Sequence, residues 1–173
     1  MGHPKGGTEE DFAEFVMASS GRLTHAAFLL TGDRHQAEDA AQTALARTYA
    51  AWRRIRHKDA YGYARKVLVN HLIDLWRRPI KESPTDEVPE RRVAGAPESA
   101  VVTRQWLQEL LDGLTGRERA VIVLRHYFDL PEAEVAAELS VSVGTVKSTN
   151  SRALAKLRVA AKDDLPTTCG GAA

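Results

Sequence analysis

The prolines of this 173-residue chain are unevenly distributed, and their placement limits the folds that the chain can adopt. Four of the seven lie within residues 79–100, at Pro79, Pro84, Pro89 and Pro97. Residues 5–78 contain none, and residues 98–164 contain only Pro131. Both proline-poor blocks are rich in Ala, Leu, Arg and Glu, which favour helix, and neither alternates apolar and polar residues as strands do. The sequence predicts an all-α protein built from two small helical domains.

The segment between the blocks sets the predicted domain boundaries. Residues 79–100 contain no aromatic residue and few aliphatic ones, so they cannot bury enough surface to offset the entropy lost on ordering. We therefore predict helical domains at 11–78 and 101–162, a flexible linker at 79–100, and flexible tails at 1–10 and 163–173. Within the domains, helices are predicted over 11–30, 35–54, 60–78, 101–114, 115–128, 131–139 and 142–162. Thr115 with Glu118 three residues later has the pattern of a capping box, and Ser142 is the predicted N-cap of the last helix.

Composition excludes several other classes of protein. No run of about 18 uncharged apolar residues occurs, and the amino terminus lacks the apolar core of a signal peptide, which predicts a soluble, cytoplasmic protein without membrane insertion. The single cysteine, Cys169, excludes an internal disulfide and a cysteine-rich zinc site. The six histidines show no metal-binding spacing, and no glycine-rich phosphate loop is present. We therefore predict no cofactor, no metal and no enzymatic activity.

The charge is nearly balanced overall, at +1, but it is strongly segregated along the chain. Residues 47–78 hold nine basic residues against two acidic ones, and residues 142–162 hold five basic residues and no acidic one. Between them, residues 126–140 hold four acidic residues and no Lys or Arg. Two basic segments indicate two surfaces that face a polyanion, although solvated helix faces would give the same pattern.

Residues 131–158 have the pattern of a helix-turn-helix. A short helix is followed by the turn Ser140-Val141-Ser142 and by a second, amphipathic helix. Its apolar arc contains Val143, Val146, Ala153, Leu154 and Leu157, and the opposite arc contains Thr145, Ser148, Ser151 and Arg152, with Lys147 on the flank. Short hydroxyls allow a close approach to DNA, and cations reach guanine edges and phosphates. The second helix is thus predicted to enter the major groove.

The third helix also has two faces. Its core stripe contains Tyr61, Ala64, Leu68, Leu72 and Leu75, and its far side contains Tyr63, Lys66, Asn70, Asp74 and Arg77. An aromatic ring, an amide and cations on one face suit single-stranded nucleic acid, although an ordinary solvated face remains an alternative. On the second helix, Asp39 and Gln42 lie on an exposed side with Glu38, and this pattern alone does not show what they bind.

Three segments carry a family resemblance. LTGDRHQAEDAAQTALARTYAAW, YARKVLVNHLIDLWRR and LTGRERAVIVLRHYFDLPEAEVAAELSVSVGTVKSTNSRALAKLR together resemble the extracytoplasmic-function (ECF) group of bacterial sigma-70-type sigma factors. The resemblance covers about residues 11–78 and 101–160. It implies a dissociable subunit that binds RNA polymerase core and directs it to promoters. It also implies that an anti-sigma factor can be a partner, although no residue specifies one.

The resemblance further implies a role for individual residues. On the second helix, Asp39 and Gln42 would be polar contacts to core polymerase, with Leu45 and Tyr49 as apolar neighbours. On the third helix, Asn70 would read a flipped base of the unpaired −10 strand, Lys66, Arg77 and Arg78 would contact phosphates, and Tyr63 and Asp74 complete this face. On the last helix, Lys147, Ser148, Ser151 and Arg152 would contact bases of the −35 duplex, with Thr145 near the backbone.

Other interpretations remain at this point. A conventional helix-turn-helix regulator would bind duplex operators without polymerase, usually as a dimer, but the amino-terminal half has neither the alternating strands nor the acidic pocket of a phosphorylation receiver. A pure protein-interaction adaptor would not depend on Arg152. For the free chain, we expect a monomer whose two basic faces pack together and are hidden.

Overall fold

The computed structural model describes residues 8–77 and 98–163, and every regular element within these ranges is helical. This part of the chain contains α1 (Glu9–Thr31), α2 (Arg34–Ala51), α3 (Ala60–Arg77), α4 (Glu98–Asp112), α5 (Gly116–Ile122), α6 (Glu132–Leu139) and α7 (Val143–Asp163). Two short 3₁₀ turns, Trp52–Arg54 and His57–Asp59, connect α2 to α3. The all-α prediction is confirmed.

The predicted linker and tails lie mostly outside the described residues, as does Arg78. Two edges differ from the sequence-based boundaries. Residues 9–10 form the start of α1 and residues 98–100 the start of α4, although the sequence places them in a tail and in the linker. At the start of α1, Thr8 and Asp11 form a capping box that satisfies backbone N–H groups at the helix end.

The predicted helix-start signals of the carboxy-terminal half are present. Thr115 Oγ1 accepts a hydrogen bond from Glu118 N, and Glu118 Oε2 accepts one from Thr115 N at 3.0 Å, so the predicted capping box begins α5. Ser142 Oγ accepts a hydrogen bond from Thr145 N at 3.1 Å and begins α7. These local side-chain bonds explain why both helix starts could be located from the sequence.

The predicted helix 115–128 is regular only over its first half. It is α-helical to Ile122 and continues as a π-helical turn over Val123–Tyr127, which ends where Phe128 N donates to Val123 O at 3.1 Å. A π-helical turn adds one residue to the helical repeat and so changes the direction in which the following side chains project. Tyr127 and Phe128, at its end, both contact the amino-terminal half of the chain.

A single hydrophobic core runs through both halves. Its fully buried members include Leu23, Leu30, Leu68 and Leu72 in the amino-terminal half and Val121, Leu124, Val135 and Val146 in the carboxy-terminal half. Helices α1 and α3 pack against α5, and they also contact the π-helical turn and α6 respectively. Burying a Leu or Val side chain contributes about 1.5–3 kcal/mol, so the halves gain stability from contact with each other.

The expectation that the two basic faces hide each other is wrong. Lys66 and Arg77 on α3, and Lys147 and Arg152 on α7, are exposed. The halves meet instead through the opposite side of α3, where Arg65 pairs with Glu138 of α6. Packing two cationic faces against each other would be unfavourable, whereas this contact pairs a cation with a carboxylate.

Candidate nucleic-acid interface

The turn of the helix-turn-helix is built by local backbone geometry. Helix α6 ends at Ser140, which adopts the left-handed conformation with φ 53° and ψ 47°. Val141 N then donates to Ala136 O at 3.0 Å, which closes the end of α6, and Ser142 caps α7 two residues after the left-handed residue. The chain therefore reverses in three residues and brings α7 against α6.

Helix α7 presents the polar face that its periodicity predicts. Val146 and Ala153 are fully buried, and Leu154 and Leu157 pack against the core. The residues on the opposite face are exposed: Lys147, Ser148, Ser151 and Arg152. Val143 differs from the prediction, because it lies in the first turn beyond the core and is 39% exposed.

Two interactions limit which groups on this face are available to a ligand. Thr145 Oγ1 lies 2.9 Å from Ser142 Oγ, so its hydroxyl belongs to the helix cap. Lys147 Nζ lies 3.8 Å from Glu132 Oε2, and the lysine side chain is 64% exposed. An exposed pair at that distance is weak and can be exchanged for a phosphate. Lys147 is thus available for binding, whereas Thr145 is largely occupied.

A further contact explains why a polar residue, Asn150, lies on the apolar side of α7 between Val146 and Ala153. Asn150 Oδ1 lies 3.1 Å from His126 Nε2, on the π-helical turn. Lys156, further along α7, donates from Nζ to Glu118 Oε2 at 2.8 Å. The Lys156 ammonium, together with the bonds from Thr115, holds the pKa of Glu118 below its usual value against the opposing effect of burial. Both contacts fix α7 on its domain.

The far face of α3 carries the side chains predicted for single-stranded nucleic acid. Tyr63, Lys66, Asp74 and Arg77 are exposed and Asn70 is half-buried. A cavity of about 420 Å³ lies between α3 and the end of α2, and Tyr63 and Asn70 both line it. The structure therefore brings the predicted aromatic ring and the predicted amide to one cavity, with Val67 as an apolar wall.

Two further cations line this cavity. Arg47 of α2 and Arg54 of the following 3₁₀ turn face it together with Tyr63 and Asn70. Neither arginine was assigned to this site from the sequence, although both belong to the basic segment 47–78. The periodicity of α3 gave no sign of them, because they lie on another element. Only the segregated charge could have indicated them.

The residues predicted to contact polymerase share one face of α2. Asp39 and Gln42 are exposed, Leu45 is half-buried against the core, and Tyr49 is 48% exposed. The Tyr49 ring lies 4.8 Å from the ring of Phe12, which fixes its position on the surface. The face combines polar groups with an apolar centre, as protein-binding surfaces do.

Residues 8–77 and 98–163 contain neither a candidate metal site nor a membrane-spanning helix. No group of three or more His, Cys, Asp or Glu side chains there could hold a metal ion. None of the helices described is both long enough and apolar enough to span a bilayer.

Taken together, the exposed cations of α7 and the cavity on α3 define a helix-turn-helix DNA-binding protein with a second basic surface. Comparison with known proteins gives the family. Residues 15–79 match the family model for Sigma-70 region 2, and residues 104–157 match that for Sigma-70, region 4. The chain belongs to the ECF group of sigma-70-family sigma factors, whose members are non-catalytic factors that bind RNA polymerase and direct promoter-specific transcription.

Individual relatives support this assignment. The chain is 41% identical over 150 residues to the RNA polymerase sigma-E factor of Streptomyces coelicolor, covering 86% of this chain and 84% of the relative. It is 31% identical to the ECF sigma factor ShbA of Streptomyces griseus, covering 77% and 76% of the two chains.

Two solved structures are similar in fold. The sigma factor RpoE of Bartonella quintana, solved with the anti-sigma factor NepR, has a TM-score of 0.67 and 20% identity over 90% of this chain and 99% of that one. CnrH, solved with the cytosolic domain of CnrY, has a TM-score of 0.66 and 23% identity over 91% and 92%. At this identity, the likeness supports the fold alone.

Proposed function

We propose that this chain directs RNA polymerase to its promoters by reading the −35 element as duplex DNA through α7 and capturing the unpaired −10 strand on α3. The observation that supports this proposal most directly is that one chain has two distinct surfaces. One is a helix-turn-helix with exposed cations, and the other is a basic cavity lined by an aromatic ring and an amide. The working units are domains 11–78 and 101–162, with residues 79–100 as the linker.

At the −35 element, α7 enters the major groove with its exposed face. Lys147 and Arg152 reach guanine edges or phosphates, and Ser148 and Ser151 allow the helix to approach closely. Thr145 lies near the DNA backbone, with its hydroxyl supporting the helix start. The bonds of Lys156 and Asn150 support this proposal because they hold the reading helix rigidly on its domain.

At the −10 element, the cavity on α3 accepts a base that has left the stack. Tyr63 stacks on the base and Asn70 binds its edge, while Arg47 and Arg54 hold the adjoining phosphates. Lys66, Arg77 and Arg78 continue the phosphate contacts along the strand, and Asp74 lies among them. Extruding a base costs a few kcal/mol. Affinity for the unpaired strand alone favours the open duplex, so melting needs no nucleotide hydrolysis.

The face of α2 that carries Asp39, Gln42, Leu45 and Tyr49 is the proposed contact with core polymerase. We propose that the chain acts in the cytoplasm, without cofactor, metal or catalysis of its own. An anti-sigma factor is a further proposed partner. Of the solved proteins with this fold, RpoE is bound to the anti-sigma factor NepR and CnrH to the cytosolic domain of CnrY.

Run-off transcription tests the proposal. Purified core polymerase, a pool of double-stranded promoters and the full chain should together yield promoter-specific transcripts, and omission of either protein should abolish them. Arg152→Ala should reduce transcription from duplex promoters, with Arg117→Ala as a control that removes an exposed cation on α5. Tight operator binding without polymerase, combined with no transcripts in its presence, would instead identify a conventional regulator.

A further inference from the structure

A buried ion pair joins the two halves at a site that neither DNA-facing surface uses. Arg65 of α3 donates from Nε to Glu138 Oε1 at 3.0 Å, and the two side chains are 13% and 9% exposed. The second oxygen of Glu138 is buried without a hydrogen-bond partner among the described residues. A charge at this depth is costly without its partner. Each group therefore needs either the ion pair, which exists while the halves are in contact, or exposure to water after they separate.

A cation surrounded by aromatic rings lies beside this pair. The guanidinium carbon of Arg22 on α1 lies 5.1 Å from the ring centroid of Tyr61 and 5.9 Å from those of Tyr127 and Phe128. Tyr127 Oη also donates to Arg22 O at 3.3 Å. Cation–π contacts of this kind are directional, so they fix the relative position of the halves as well as holding them together.

Two more contacts cross the boundary without involving that cluster. Arg119 of α5 is buried and donates from Nη1 to Leu30 O at 3.3 Å. The indole of Trp76, near the end of α3, lies so close to Gly116 that a Cβ on the glycine would be 2.9 Å from Trp76 Cε3. A side chain at position 116 would therefore force the Trp76 ring or α5 to shift while the halves are in contact.

The closed chain is too small to engage both promoter elements. A compact protein of this length has a radius of gyration of about 16 Å, which corresponds to a diameter of roughly 40 Å. Elements centred about 25 base pairs apart are separated by roughly 85 Å at about 3.4 Å per base pair. The 20 residues between α3 and α4 would reach about 70 Å if fully extended. Simultaneous reading therefore requires the halves to separate.

We propose that these contacts form an interdomain latch that holds the free chain closed and competes with binding to polymerase. The latch consists of Arg22, Arg65, Arg119 and Trp76 with their partners across the boundary. Closure itself is a property of the chain, whereas competition with polymerase rests on the proposed function. Since only the open fraction binds productively, the apparent dissociation constant for polymerase is the intrinsic one divided by that open fraction.

Two variants weaken the latch by different physical means. Glu138→Gln removes the carboxylate charge that pairs with Arg65. Gly116→Ala places a methyl group against the Trp76 ring, and it would otherwise favour α5, since Ala is a better helix former than Gly. Glu134→Gln is the matched control, because it makes the same charge change at an exposed position of α6.

The first measurement follows closure in the free chain. Dyes are attached to cysteines placed at Ala18 and Ala133, both exposed, after Cys169→Ser removes the native thiol. We expect high energy transfer in the parent chain and in the Glu134→Gln control, and lower transfer in both latch variants, with unchanged helical circular dichroism. Transfer that stays high in Gly116→Ala, or that is already low in the parent chain, would overturn the latch.

The second measurement is titration of core polymerase with the same labelled chains. Energy transfer should fall on binding. Both latch variants should reach half-saturation at a polymerase concentration about tenfold lower than the parent chain does, because less of each variant is closed. Equal half-saturation in parent and variants, with transfer already lowered in the free variants, would refute the competition. Absence of polymerase binding by every chain would instead refute the proposed function and leave the closure measurement valid.

Discussion

Glu132 is expected to weaken the contact between α7 and duplex DNA. Its carboxylate lies 3.8 Å from Lys147 Nζ, at the edge of the proposed −35 surface. To bind DNA, Lys147 must exchange this carboxylate for a phosphate or a base edge, and Glu132 also repels the incoming phosphates. Glu132→Gln removes both effects and keeps the shape of the side chain, so DNA affinity should rise.

The size of the gain follows from the geometry. Two unit charges 3.8 Å apart attract by about 1.1 kcal/mol in water, and salt near 0.1 M reduces this to roughly 0.7 kcal/mol. A difference of about 0.7–1.1 kcal/mol corresponds to roughly three- to sixfold in affinity. The dielectric constant of water applies to this pair because Lys147 is mostly exposed.

Fluorescence anisotropy measures this change. The labelled duplex is a promoter selected from the pool that was used for run-off transcription. Full chains are titrated at several salt concentrations, and the advantage of Glu132→Gln should shrink as salt rises. Glu134→Gln, on the same helix and exposed, should give a smaller gain. In a Lys147→Ala background, Glu132→Gln should lose most of its effect, since the competing pair no longer exists.

Competition between Glu132 and DNA for Lys147 is refuted if Glu132→Gln lowers affinity, or if its gain is the same with and without Lys147. The first result would show that the carboxylate orients Lys147 productively. The second would show that only overall charge matters, and that α7 does not bring Lys147 to DNA.

Three further perturbations address the other surfaces. Asn70→Ala should weaken binding of single-stranded −10 oligonucleotide by about 1–3 kcal/mol and leave duplex −35 binding unchanged, as measured by anisotropy with both ligands. Equal losses with both ligands would show that Asn70 does not bind the unpaired base. Asp39→Ala should weaken association with core polymerase in pull-down titration while both DNA affinities stay constant, and a reversed pattern would exclude α2 as the docking face. Glu118→Gln should lower the free energy of unfolding by about 0.5–1.5 kcal/mol at neutral pH, because it removes the charge of a carboxylate bonded to the half-exposed Lys156. Since the folded pKa of Glu118 is lowered, its contribution is complete at neutral pH and is lost as the pH falls below its usual value toward that lowered pKa, so urea denaturation of variant and parent should converge in acid.

Features that depend on near neighbours could be read from the sequence. The apolar and polar arcs of α3 and α7 repeat with the helical period, and the cap residues Thr115 and Ser142 bond to residues three positions away. The predicted faces of these helices therefore carry the expected side chains at the surface. Val143 and Leu75 are exceptions, because both were predicted to face the core and they are 39% and 42% exposed. Val143 lies in the first turn of α7 and Leu75 in the last turn of α3, where a side chain can extend past the core that its arc faces.

Features that depend on distant parts of the chain needed the tertiary structure. Arg47 and Arg54 share a cavity with Tyr63 and Asn70 only because α2 ends beside α3. Arg65 and Glu138 are 73 positions apart, and nothing in the local pattern of either indicates the other. A helical face is set by hydrogen bonds four residues apart, so the sequence by itself determined the two modules and their exposed surfaces. The position of one module against the other is set by the combined burial of many side chains from both, and only the folded chain decides which of them meet.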